Sequence, residues 1–459
     1  MCQDPARIVG PGRLSAALAT IVLIFLAASP LRGQDRTAPA LTLAEALKAA
    51  ADRSQASIAA GLDLASAQEG TNRARATYWP SVSVSGGWFA RDHEVVAIFD
   101  TPQGVLAAET TQKNFFVGDI SATQLIWDGG RRSAALKASR SGQAAVESRG
   151  RAEVVAAQLD ALSTYLRILV LKAQRRVVEQ RVTSLEGHLR EARDLYEQGV
   201  VARNDLLATE VRLRNVKDQL GQIDNGEAVS AAALSRLMGG DPSRAVLLPD
   251  SLPASPSLPE AVADLRRRLV ERNPVLRALR ARQESERRSS DFHRREDYPS
   301  LFARASHEYQ QNQYLQYPQA NVFFLGLNWS LFDGGARHAV RRQADLAVQK
   351  TEHEIDDVRR GLEIEVDRTG RDYEQALREG ATARSNTAAA EENLRIVEDQ
   401  YRAGLARSTD VLDAEGILAE SRFSVANQHY TAYLRQGALL GAAGVDLVPF
   451  YGGAAAPKE

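Results

Sequence analysis

The sequence predicts an α+β membrane protein built as a two-fold internal repeat. Each half supplies two β-strands and a long helical coiled coil, and the strands of several copies share one barrel. Three observations point there. An aromatic-Asp-Gly-Gly element stands at Trp127-Asp128-Gly129-Gly130 and again at Phe332-Asp333-Gly334-Gly335, 205 residues on. A Tyr…Gly…Asp turn, Tyr196 to Leu207, returns at Tyr401 to Leu412 with the same offset. Two motifs sharing one offset mean that the segment between them keeps its length. Stretches of strict apolar–polar alternation precede each Asp-Gly-Gly element, which is the strand period.

Composition narrows the class. Of 459 residues, 25% are charged with a net charge of −1, without the basic excess of a nucleic-acid binder. The one cysteine is Cys2, so a processed chain has no disulfide and no thiolate metal site. Arg7 and Arg13 lead into a mostly apolar run of 15 residues, Leu14 to Ala28. That run is short for a membrane span and reads as a cleaved signal peptide over residues 1–33. No later stretch offers ~20 continuous apolar residues, so no transmembrane helix is expected.

The first repeat covers residues 43–240. It opens with a moderate helix ending near Pro80, and strands follow at about 80–90 and 115–127. Val82, Val84 and Trp88 share one strand face, with Ser81, Ser83 and Ser85 on the other. The second repeat covers 258–447. "VERNPVL" at Val270 and "DYPS" at Asp297 match "ADRSQAS" at Ala51 and "YWPS" at Tyr78, both with offset 219. Its strands are expected at about 299–309 and 320–332, with Phe323, Leu325, Leu327, Trp329 and Leu331 on one face. Five prolines from Pro242 to Pro259 mark an extended connector over 241–257, and 448–459 reads as a flexible tail. Trp127 lies 47 positions after Pro80, and Phe332 only 33 after Pro299. The surplus predicts a longer exposed loop between the first two strands.

Strands of this length with one apolar face suit a lipid-facing barrel wall. Four per chain cannot close, because open sheet edges in hydrocarbon are too costly, so several chains must pool theirs.

Tyr196 lies 68 positions after Asp128, and Tyr401 68 after Asp333, with no proline between. As helices these stretches span ~100 Å and need partners along their length. A heptad seam is legible in the second: Val348, Ile355, Leu362, Thr369, Ala376, Ala383, Ala390 and Val397. It is completed at plus four by Val366, Tyr373, Gly380, Thr387, Leu394 and Tyr401. Asp128 and Asp333 are placed to cap these helices, and Gly129, Gly130, Gly334 and Gly335 permit the strand-to-helix reversal. Trp127 and Phe332 end strands where an aromatic girdle would sit.

These duplicated elements, the Tyr-x-x-Gly-x(5)-Asp-x-Leu turns and the strand pair in each half resemble the TolC-type outer-membrane efflux channel family, over about Leu43 to Leu447. The resemblance implies a homotrimer with a twelve-stranded β-barrel in the outer membrane and an α-helical tunnel through the periplasm. It implies as partners a periplasmic adaptor (membrane fusion) protein and an inner-membrane efflux pump or ABC transporter. Such a protein is a passive exit duct of a tripartite efflux or type I secretion system, lodged in the outer membrane and its lipid. A periplasmic gate would fall on Tyr401, Arg407, Asp410, Asp413 and Asp205. Asp410 and Asp413, three apart, stack on one helix face, and in a trimer they would make two carboxylate rings. Arg407 comes six after the Tyr, where the family's tie residue comes five after. The first turn has Ala208 where the second has Asp413. Gly199, Val200, Gly404 and Leu405 sit where family tips meet the adaptor. Capping of a solvated turn is the plain alternative for Asp205 and Asp410.

The seven histidines show no metal-ligand spacing, and no nucleophile-elbow or His-Glu-x-x-His motif is present. The sequence therefore implies no enzyme, no metal and no cofactor. A periplasmic coiled-coil adaptor or scaffold without a pore would share the long helices but has no need of a lipid-facing strand band.

Overall fold

The structure is a computed structural model. It describes residues 40–453, apart from 200, 245, 254–257, 259 and 260. The expected signal peptide, Val200, part of the connector and residues 454–459 lie outside the described residues.

Each half begins with two helices rather than one. In the first, α1 (Leu43–Arg53) and α2 (Gln55–Ala76) break at Ser54, whose hydroxyl caps α2. In the second, α5 (Val262–Arg272) and α6 (Pro274–Arg294) break at Asn273, which accepts from Val275 and Leu276 ahead of a proline well suited to the first turn.

The strands of the first half are β1 (Ser81–Ala90), β2 (Val95–Thr101), β3 (Gly104–Thr111) and β4 (Asn114–Trp127); the second half adds β5 (Ser300–Gln310) and β6 (Gln319–Asn328). Four form one antiparallel sheet in the order β1-β4-β5-β6. The surplus of the first half is not a loop: β2 and β3 pair as a separate hairpin, with Phe99 opposite Leu106. Its alternating β-branched residues have strand propensity, which a residue surplus alone does not reveal.

The register sorts the main sheet by chemistry. One face carries Val82, Val84 and Trp88 beside Ala122, Ile120 and Phe116, continued by Ala303, Ala305, Leu325 and Phe323. The other face is largely polar. Ser83 and Ser121 hydroxyls meet at 3.2 Å, and Arg304 donates to Asp119 at 3.1 Å. β6 ends against β5 at Asn328, short of the expected residue 332, so Phe332 lies beyond the strand. β1 and β6 are the two edges of the sheet, and neither outer edge is paired.

Two helices of 67 residues follow the sheet: α3 (Arg131–Glu197) and α7 (Ala336–Arg402). Each turns back into a 35-residue partner, α4 (Arg203–Leu237) and α8 (Ser408–Ala442). All residues of the heptad seam read from α7 are buried or half-buried, because small knobs let α8 approach closely.

The main core lies at mid-height, where α1, α5 and the connector gather against α3, α7 and α8. Leu162, Tyr165, Ile168 and Leu169 of α3 pack with Leu439 and Leu440 of α8. This apolar run gives α3 a stretch that would pass as a membrane span by length and composition. Its burial in the core accounts for that composition. The expected tail is also corrected. Residues 447–453 form α9 (Leu447–Gly453), with Tyr451 only 5% exposed and stacked on Tyr433.

Candidate gate at the helical hairpin tips

Two tips close the molecule at the end away from the sheet. The α7–α8 turn is built by Gly404, at φ 72°, whose N–H bonds the Tyr401 carbonyl while the Leu405 N–H bonds Gln400. This is a left-handed helix stop that only glycine takes without strain. Gly199, at φ 77°, ends α3 in the same left-handed conformation, its N–H bonding the Tyr196 carbonyl. Leu405 projects into solvent, 82% exposed.

Below the tips, the two hairpins of one chain are joined by a buried cluster. Tyr401 of α7 is 4% exposed, and its ring lies 5.0 Å from that of His188 on α3. His188 Nε2 bonds Ser408 Oγ at 2.9 Å, and Ser408 Oγ lies 3.3 Å from Thr209 Oγ1 on α4. One residue from each of four helices thus meets in a site where Ser408 and Thr209 are fully buried. Burial pushes the His188 pKa down, against the pull of Glu191, and pushes the Tyr401 phenol up. Arg402 beside it reaches Glu191 at 3.7 Å.

The acidic residues divide by role. The Asp410 carboxylate accepts the Arg407 N–H at 2.8 Å, closing the first turn of α8. Arg407 occupies the helix-cap position with an exposed side chain. Asp205 lies in the first turn of α4, where its backbone carbonyl accepts from Thr209. Asp413 makes no cap. It is exposed and lines a cleft of about 570 Å³ together with Arg181 and Arg212.

Next to that cleft Glu415 is 6% exposed, and burial pushes its carboxyl up to about 7, opposed by Arg181. Glu415 Oε2 and Arg181 Nε and Nη2 are buried without hydrogen-bond partners. Arg181 is itself held below its ordinary value, first by burial and then by Arg212.

At the sheet end, Asp128 takes Gly130 N–H at 3.0 Å and Arg132 N–H at 2.8 Å; Asp333 takes Gly335 and Arg337 N–H, both at 3.1 Å. The cap position proper belongs to Gly130 and Gly335, each left-handed, so the aspartates act from two residues upstream.

A known family matches this architecture. Its model, described as outer membrane efflux protein, fits residues 46–240 and 265–445, most of the chain and both repeats. The chain belongs to the outer membrane efflux protein family. In fold it is similar to the outer membrane protein VceC of Vibrio cholerae, with a TM-score of 0.74 at 18% identity, covering 88% of this chain and 96% of that one. The Campylobacter jejuni CmeC outer membrane channel gives 0.73 at 13% identity, covering 88% and 85%. Among curated proteins, Protein CyaE of Bordetella pertussis is 27% identical over 307 residues, 62% of this chain. The match spans about three-fifths of that relative, 59% of its length.

Within this family member, the sequence-derived gate residues do not form one constellation in the single chain. Tyr401 is buried against α3, Asp410 is engaged in capping, and Arg407 and Asp413 face outward. Sequence reasoning missed His188, Thr209, Ser408, Arg181, Arg212 and Glu415. No spacing could have found them, because His188 and Tyr401 are joined only by the packing of one hairpin on the other. Among the described residues no His, Cys, Asp or Glu group is arranged to hold a metal ion.

Proposed function

We propose that the protein is a homotrimeric outer-membrane exit duct, passing solutes from the periplasm or an inner-membrane pump to the outside without chemistry on them. One observation carries this: a four-stranded sheet with one apolar face, unpaired at both edges, runs directly into helices of 67 residues. Only closure with further copies satisfies such edges in lipid. Three copies give twelve strands and a helical tube ~100 Å long. The aromatic rows fit a membrane band. Trp79 stands just before β1 and Trp88 near its far end.

The tips are the working end. Gly199, Val200, Gly404 and Leu405 are the surface offered to a periplasmic adaptor, which couples the duct to an efflux pump or ABC transporter. Asp413, supported by Asp410, forms the carboxylate constriction, and Tyr401 and Arg407 belong to the closing contacts. Asp205, in the matching first turn of α4, belongs to the same gate. Residues 1–33 direct export and are removed.

The test is conductance of the purified protein in planar bilayers, together with membrane fractionation. The duct reading expects ion-conducting outer-membrane trimers. A soluble periplasmic product with no conductance would end it. For the gate, Asp410→Asn with Asp413→Asn removes both charges while leaving an acceptor for the Arg407 N–H. Cation preference and block by multivalent cations should fall; unchanged selectivity would remove these residues from the constriction.

A further inference from the structure

The halves of the chain are related by two offsets, 219 for the segment entering the sheet and 205 for the segment leaving it. The structure repeats contacts within each half by the same rule. Gln124 Nε2 donates to the Tyr78 carbonyl at 3.2 Å, and Trp329 Nε1 donates to the Asp297 carbonyl at 3.1 Å. Arg132 Nη1 reaches the Thr77 carbonyl at 3.3 Å, and Arg337 Nη1 the Glu296 carbonyl at 3.2 Å. In both cases the donors differ by 205 and the acceptors by 219.

At the strand-to-helix joints, the described contacts between the halves have no counterpart within the chain. β4 pairs with β5, Thr123 opposite Arg304. Tyr298 covers Gly129, where an added Cβ would lie 2.6 Å from its own, and meets Trp127 edge-on at 6.5 Å. Ser285 Oγ donates to the Ala138 carbonyl at 2.8 Å. The reciprocal set is open. Trp79, counterpart of Tyr298, is 74% exposed, and Phe332, counterpart of Trp127, is 88% exposed. Nothing lies within 4 Å of a Cβ built on Gly334 or Gly335.

We infer that a second copy of this chain supplies the reciprocal contacts in a fixed register: Asn328 of β6 opposite Ser85 of β1 in the next copy, with Trp79 of that copy seated on Gly334 and against Phe332. Leu325 then faces Trp88, Leu327 faces Gly86 and Trp329 faces Val84, keeping the apolar face continuous. Asn328 and Ser330 face Ser85 and Ser83 on the polar side. A one-residue slip would invert every pair. The register also gives ladder partners to Trp329–Phe332, which continue past the end of β6. It places Ser66, counterpart of Ser285, to donate to the Gln343 carbonyl of the neighbour. The inference rests on the shared-barrel reading above and adds the seam.

The test uses disulfide trapping in the full chain with Cys2→Ser, which leaves no native thiol. Ser85→Cys with Asn328→Cys should give a covalent trimer on oxidation, lost on reduction. Ser83→Cys or Gly87→Cys with Asn328→Cys should give about tenfold less, since a two-residue offset carries the Cα atoms beyond disulfide reach. Trp79→Ala, harmless to an isolated chain, should lower the temperature at which the trimer dissociates in detergent. Preferential linking of a shifted pair, or no linking in a protein that is trimeric by light scattering, overturns the register alone. No linking in a protein that is monomeric overturns the shared barrel as well.

Discussion

His188 shows how little of the tip chemistry a linear reading contains. It is one of seven scattered histidines in the sequence, yet it lies buried against Tyr401 and Ser408. Its pKa is depressed by burial, so the folded state binds this proton less readily than the unfolded one. The stability it contributes is present above its unfolded pKa and is lost as pH falls below that value. Unfolding of the α3–α8 tip should therefore ease at mildly acid pH, and His188→Gln should flatten the dependence in hydrogen exchange of the tip amides. Glu415 has the opposite sign. Its carboxyl is raised to about 7, so the folded state holds the proton, and stability present below the unfolded pKa is lost as pH rises through 7. Glu415→Gln should match the natural protein at about pH 4, below the unfolded pKa, and exceed it at pH 8 in thermal unfolding, by about 3 kcal/mol at most. A variant equally stable at both would mean the side chain reaches water. The charges of Asp410 and Asp413 were legible in the sequence, but the engagement of one and the freedom of the other depend on a turn geometry that residue types do not disclose.

The elements were far more legible than the residues. The 67-residue helices follow from proline-free stretches, the seam from its seven-residue repeat, and the four strands of the main sheet from their period of two, because each is a local pattern with a strong physical period. What escaped lies at ends and interruptions. The breaks at Ser54 and Asn273 are set by caps, α9 by docking on Tyr433, and the halt of β6 at Asn328 by the lack of a partner strand. The β2–β3 hairpin hid in a residue surplus. The strand-to-helix joints carry a prediction of their own. Gly129→Ala meets both a left-handed backbone, φ 66°, and the Tyr298 side chain. It should cost more than the ~1 kcal/mol of an unfavourable φ alone. A loss for Gly129→Ala in thermal unfolding no larger than that φ penalty would contradict the packing of Tyr298 on Gly129.

At the scale of the whole molecule, the core and the sheet differ in how far one chain covers them. The chain closes its helical core, where Leu162, Leu169, Leu439 and Leu440 are 0% exposed, but leaves Val82, Val84, Phe323, Leu325 and Leu327 open on the sheet. Replacing Leu169 by Ala should lower core stability by 2–5 kcal/mol in the manner of buried leucines, without altering assembly. Charge on the sheet face should act differently. Val84→Lys, near the middle of the apolar band, should cost roughly 2–4 kcal/mol of membrane stability and leave the helices intact by circular dichroism. The internal duplication is what the proposed assembly rests on: a half that pairs with its own sequel supplies a rule for pairing with a neighbour. The most direct check of the central claim is the mass of the detergent-purified protein by native mass spectrometry or light scattering. Three chains per particle, with strand and helix signals both present, is the expected result. A folded single chain, stable with its sheet edges unpaired, would contradict the account.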